Sequence, residues 1–236
     1  MEVIAHRGMP RMTRENTLAG FALAIEAGAD GIELDVHGTR DGVVVVHHDP
    51  TLPPSPGAPP EVGGMPIASL TLAELRRATR GGIEIPTLDE TLAFVDARVT
   101  LYVEIKALDI EGRVVSDLAL HGARAAVHSF DHRVSRTVSA IARDIPTGIL
   151  SSSYLLEPER ALKGANARDY WQRWELIDAA LVQHVHAAGG RVVAWTVNAL
   201  GAVAHLRSLG VDAVCTDVAD QVVPFVRQGG MAEATG

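Results

Sequence analysis

The stretch Gly31-Ile32-Glu33-Leu34-Asp35-Val36-His37 alternates apolar and charged residues one by one. A period of two is the mark of a β-strand, whose successive side chains point to opposite faces. Ile32, Leu34 and Val36 share one face, and Glu33, Asp35 and His37 share the other. Leu101-Tyr102-Val103-Glu104-Ile105-Lys106 repeats the pattern, with Leu101, Val103 and Ile105 opposed to Tyr102, Glu104 and Lys106. In a closed α/β barrel the apolar face meets the outer helices, so the charged face points into the barrel.

Outward from these two strands, short β-branched runs alternate with longer amphipathic ones. Val3 to His6 reads as a first strand, and Glu15 to Ala27 as a helix with Leu18, Phe21, Ala22 and Ile25 on one stripe and Gly28 as its stop. Asp41-Gly42 signals a turn, after which Val43 to His48 extends as another strand. Further strands are expected at 123–128, 146–150, 191–197 and 213–216, with a weak one in the middle of 164–174. Helical patterns occupy 110–121, 131–142, 176–188 and 200–209. About eight strand–helix units fit a (β/α)8 TIM barrel in one domain, 1–228. An open doubly wound sheet is the competitor, but no dinucleotide fingerprint follows the first strand. Pro50 to Pro66 holds seven of the twelve prolines and cannot be a regular element, so it is expected to form a rim loop beside His47-His48-Asp49. Residues 229–236 are expected to be a disordered tail.

Composition agrees with one globular domain. The chain has 236 residues, 47 % hydrophobic and 21 % charged. A net charge of −8 argues against broad contact with nucleic acid or anionic membrane. Cys215 is the only cysteine, which excludes an intrachain disulfide and a cysteine metal cluster. It reads as a small buried residue of the last strand. No apolar run reaches the roughly 18 residues of a membrane span, and the first residues resemble no signal peptide. The expectation is a cytoplasmic protein without stable membrane anchoring.

The inward charges carry the chemistry. Two acids from one strand and a third from another form an oxygen-donor nest for a hard divalent cation. The alternative is a salt-bridge cluster neutralised by Lys106. His6 ends the first strand, and His47 and His48 end the run of valines. Adjacent strand residues point opposite ways, so only one of His47 and His48 can face the site. Two histidines beside a carboxylate nest could take and give a proton near neutral pH. His184 and His186 do not share a helix face and read as structural; His128, near a strand end, is left open.

The ordered set of motifs resembles the glycerophosphodiester phosphodiesterases. It comprises His6-Arg7-Gly8, Glu15-Asn16-Thr17, Glu33-Leu34-Asp35, Asp41-Gly42 and Val44-Val45-Val46-His47-His48-Asp49-Pro50-Thr51-Leu52. It continues through Leu70-Thr71-Leu72-Ala73-Glu74-Leu75, Ile85-Pro86-Thr87-Leu88 and Val103-Glu104-Ile105-Lys106. It ends with His186-Ala187-Ala188-Gly189, Trp195-Thr196-Val197-Asn198 and Gly210-Val211-Asp212-Ala213. The resemblance implies hydrolysis of small glycerophosphodiesters to glycerol 3-phosphate and an alcohol, with one divalent cation, Mg2+ or Ca2+. It implies Glu33, Asp35 and Glu104 as metal ligands, and His6 and His48 as the acid–base pair with His47 facing away. Arg7 and Lys106 are implied as phosphate contacts, Glu15 and Asn16 as supports and Trp195 as an apolar wall. Arg14 stands where the family usually has proline, and the proline-rich stretch replaces an Asp-Arg-Thr-Thr segment expected after Leu52. The segment before Thr71 is too short for the capping insertion of some relatives. Two alternatives remain: a lysophospholipase D or sphingomyelinase D type enzyme on the same barrel, and a noncatalytic binder of phosphate esters.

Overall fold

Alternation in Gly31–Gly38 becomes one wall of a closed barrel in a computed structural model of the chain, which describes residues 1–52, 64–80 and 82–229. The inner part of the proline-rich stretch and nearly all of the expected tail lie outside the described residues. The strands are β1 (Glu2–His6), β2 (Gly31–Gly38), β3 (Val44–Val46), β4 (Thr100–Ile105), β5 (Ala125–Ser129), β6 (Thr147–Ser151), β7 (Asp169–Arg173), β8 (Arg191–Trp195) and β9 (Ala213–Thr216). The helices are α1 (Leu18–Glu26), α2 (Leu72–Ala78), α3 (Leu88–Val95), α4 (Glu111–Leu120), α5 (His132–Ile141), α6 (Pro158–Ala165), α7 (Ala179–Ala187), α8 (Leu200–Ser208) and α9 (Ala219–Arg227).

All strands but β3 run parallel in the order β1-β9-β8-β7-β6-β5-β4-β2, and β1 closes the ring on β2 through Ala5 opposite Ile32. This is a single-domain (β/α)8 barrel. β3 is not part of the wall. The Asp41-Gly42 turn folds it antiparallel onto the end of β2, Val36 opposite Val46, and it stops before His47 and His48.

The expected layering follows from strand parity. Ile32, Leu34, Val36, Leu101, Val103 and Ile105 are buried against the helices in the main core. Inside the barrel a smaller core of Ile4, Tyr102, Ala126, Leu150, Trp171, Val193, Ala213 and Cys215 fills the lumen beneath the acids. Four helices unread in the sequence also appear. Two of them, α2 and α3, start on reciprocal capping boxes, Thr71 with Glu74 and Thr87 with Glu90. Helix α1 starts at Leu18 rather than Glu15, because Asn16 takes a left-handed backbone (φ 56°) and Thr17 becomes the N-cap.

Candidate active site

The strands of a parallel barrel all end at one face, and here the sequence places polar residues at those ends. β1 delivers His6, after which the chain turns sharply. Arg7 has φ 54° and Gly8 φ 86°. A Cβ on Gly8 would stand 2.8 Å from the backbone of Gly20, so a glycine is required there. The turn sends Arg7 across the barrel mouth. Its backbone N–H donates to Glu33 Oε2 (3.1 Å), its Nε lies 3.1 Å from Asp35 Oδ2, and its Nη1 donates to both oxygens of Glu15 (3.0 and 3.2 Å). Asn16 Nδ2 donates to Asp35 Oδ2 (2.8 Å). Glu15 and Asn16 thus grip Arg7 and Asp35 from behind.

Glu33 and Asp35 from β2 and Glu104 from β4 are all buried, and Asp35 stands directly opposite Glu104 in the sheet. Lys106 Nζ bridges the last two, 2.6 Å from Glu104 Oε1 and 3.1 Å from Asp35 Oδ1. Three carboxylates therefore face two cations. The imbalance appears in their proton affinities. Burial, aided by the charges of Asp35 and Glu104, pushes the Glu33 carboxyl well above the usual range. Burial likewise raises Glu104 to about 7, against the pull of Lys106. Asp35 goes the other way: burial would raise it, but Lys106, Arg7 and the Asn16 hydrogen bond together hold it low.

His6 Nδ1 sits 2.7 Å from Asp217 Oδ1, and Asn198 Nδ2 donates to the other Asp217 oxygen (2.7 Å). Its Nε2 is turned toward Glu33, 3.9 Å from Oε2. His48 also lines the cavity, with Nδ1 2.8 Å from Asp49 Oδ1. His47 is buried and does not line it. His128 projects from β5 into the same space, 1 % exposed, stacked on Trp171 at 4.2 Å and 8°. Burial depresses its pKa to about 3, so the ring is neutral.

The cavity at this mouth measures about 170 Å³. His6, Arg7, Glu33, His48, Glu104, Lys106 and Trp195 line it, and Asp35 lies beneath. Trp195 meets Phe130 edge to face at 5.5 Å, giving one apolar wall. Met12, Leu108, Phe130, Tyr154 and Leu156 are exposed on the loops after β1, β4, β5 and β6, and Phe130 among them lines the cavity.

Sequence reasoning left His128 open and missed Asp217, Asn198 and Phe130. Each follows or ends a barrel strand, the one signal that could have found them. Oxygens of Glu33 and Glu104 and a nitrogen of His128 lie within 4.8 Å of one another, the compact set of possible metal donors among the described residues. Surplus negative charge and two carboxyls with raised proton affinity fit a cation here, since a cation would replace the missing protons.

The glycerophosphoryl diester phosphodiesterase family model matches residues 6–221 of the chain. A glycerophosphodiester phosphodiesterase of Caldanaerobacter subterraneus subsp. tengcongensis is 31 % identical, over 97 % of this chain and 98 % of that protein. An Oleispira antarctica phosphodiesterase, solved in complex with the product sn-glycerol-3-phosphate, superposes with a TM-score of 0.87 at 26 % identity, covering 96 % of this chain and 97 % of that one. A Thermotoga maritima glycerophosphodiester phosphodiesterase gives a TM-score of 0.80 at 26 % identity, with 94 % and 97 % covered.

Proposed function

The chain belongs to the glycerophosphoryl diester phosphodiesterase family, and on that premise we propose that it hydrolyses glycerophosphodiesters to glycerol 3-phosphate and an alcohol. The observation that carries this reading is the convergence of two histidines, each held by a carboxylate, with three acids, Arg7 and Lys106 at one barrel mouth. With Nδ1–H donating a hydrogen bond to Asp217, His6 offers Nε2 as an acceptor, the state a general base needs. One of His6 and His48 takes the proton of the attacking hydroxyl, and the other protonates the leaving oxygen. That hydroxyl belongs to water or to the substrate's own glycerol; the second route passes through a cyclic phosphate, detectable by phosphorus NMR during turnover. Arg7 and Lys106 contact the phosphate, and Trp195 walls the organic group.

Glu33, Asp35 and Glu104 would hold one divalent cation, Mg2+ or Ca2+. Bound there, it offsets charge developing on the phosphoryl oxygens. Three carboxylates against two basic groups otherwise make a poor seat for a phosphodiester anion, which supports the cation reading. The test is release of glycerol 3-phosphate from glycerophosphocholine after EDTA treatment and after Mg2+ or Ca2+ is restored. Metal-restored release is the expected result; full activity in EDTA removes the cation from the reading.

One observation favours a second reading, a lysophospholipid substrate whose choline group is released. Met12, Leu108, Phe130, Tyr154 and Leu156 are exposed on loops that follow the strand ends at the mouth, the side on which an acyl chain would leave the cavity. No described helix is long and apolar enough to cross a membrane. Choline release from lysophosphatidylcholine that exceeds release from glycerophosphocholine selects this reading; the reverse rejects it.

A further inference from the structure

We propose that His128 is itself a ligand of the cation at the barrel mouth, turning an oxygen site into a mixed nitrogen–oxygen one that prefers first-row transition ions over Mg2+ and Ca2+. The inference rests on the cation reading above. Its first support is an unmet need. His128 is 1 % exposed, and neither ring nitrogen has a hydrogen-bond partner. Buried polar atoms in folded proteins nearly always have one. Stacking on the buried Trp171 holds the ring in place, aimed into the cavity.

The second support is where the ring points. Nε2 lies 4.0 Å from Glu33 Oε1. That is too long for a hydrogen bond. Two ligands each about 2.1 Å from one ion stand about 3.0 Å apart at a right angle and about 4.2 Å apart across it. The separation therefore suits two ligands of a shared ion, and Glu104 completes the compact set.

Asp35 is held on one side only: its Oδ2 accepts from Asn16 and lies beside Arg7, while its Oδ1 lies 3.1 Å from Lys106 with no hydrogen-bond partner. An ion at the mouth then draws on Glu33, Asp35 and Glu104, with His128 as an added neutral donor. Imidazole beside carboxylate favours Co2+ or Zn2+ and is accepted by Mn2+, whereas Mg2+ and Ca2+ favour oxygen throughout.

The test loads the full-length protein with Mn2+ and reads the ion by pulsed electron paramagnetic resonance. Coupling to an imidazole nitrogen is expected in the parent and in His6→Ala, and its loss in His128→Gln. Loss of outer-shell partners alone costs about 10–100-fold in metal affinity. His128→Gln should thus weaken Mn2+ at least about tenfold and Mg2+ little. Mn2+ bound without nitrogen coupling in the parent overturns the inference and leaves the cation reading standing, as does coupling that survives in His128→Gln. No Mn2+ bound by the parent overturns both. Because the parent spectrum decides by itself, the inference stays falsifiable even if the variant does not fold.

Discussion

The barrel encloses two charged clusters, one at each end. At the floor, Glu2 and Asp169 face Arg168 and Arg191. Tyr102 donates to Glu2 (2.7 Å), Arg168 pairs with Asp169 through two bonds (2.8 and 2.6 Å), and Arg191 reaches both acids. Two acids meet two bases. At the mouth, three buried acids share two bases, one of which, Arg7, also holds Glu15, and a neutral imidazole stands beside them without a partner. The same kinds of side chain have opposite purposes at the two ends. The floor is balanced in charge as it stands. The mouth is short of positive charge, and that deficit is what a bound cation would fill, so that an anionic substrate could then be seated there.

The largest expected effect breaks the mouth. His6→Ala or His48→Ala should each lower kcat by about 10²–10⁴-fold, the range for a general acid or base. The melting temperature should stay within a few degrees of the parent. His47→Ala, whose ring does not reach the cavity, is the control and should lose less than about tenfold. Equal loss in His47→Ala and His48→Ala would overturn the facing assigned to the pair.

The floor should answer in the opposite way. Asp169→Asn removes a carboxylate that is 1 % exposed and leaves Arg168 and Arg191 partly uncompensated. Breaking a buried ion pair costs about 3–5 kcal/mol, and the partial exposure of Arg168 places this case near the lower end. Urea melts should show that loss, while kcat per folded molecule stays at the parent value. A variant that is stable but slow would mean that the floor is coupled to the chemistry.

The contrast between the two ends was only half readable in the sequence. Parity along Gly31–His37 and Leu101–Lys106 places the acids inside the barrel, because facing is a local property of a strand. The partner of His6 is not local. Asp217 lies 211 residues away and reaches His6 only because β9 closes the ring beside β1. His128 carries the right parity, two residues beyond Ala126, but nothing in the sequence says that it lacks a partner. Its meaning depends on the stacking with Trp171, a residue of the strand read only weakly. The start of α1 was misjudged for the same kind of reason: the helical stripe runs back to Glu15, but Asn16 is needed at Asp35.

The smallest effect sharpens the charge count. Removing an acid normally weakens a charged cluster, but the mouth has one acid too many. Glu104 titrates at about 7 in the fold, against an ordinary value of 4.5, first because it is buried. Between those values the folded state holds more protons than the unfolded one, so this group's contribution to stability falls as pH rises through that window. In cation-free protein, Glu104→Gln should match the parent near pH 5 and become more stable than it, by on the order of 1–2 kcal/mol, near pH 7.5. The neutral, buried His128 has the opposite slope between about 3 and 6.5. The measurement is therefore the difference between variant and parent at each pH, in which that slope cancels. Saturating divalent cation should abolish the advantage, since the parent's acid is then compensated and the variant's ligand is missing. A Glu104→Gln protein less stable than the parent at every pH would mean that Lys106 alone balances the mouth, leaving no deficit for a cation to fill.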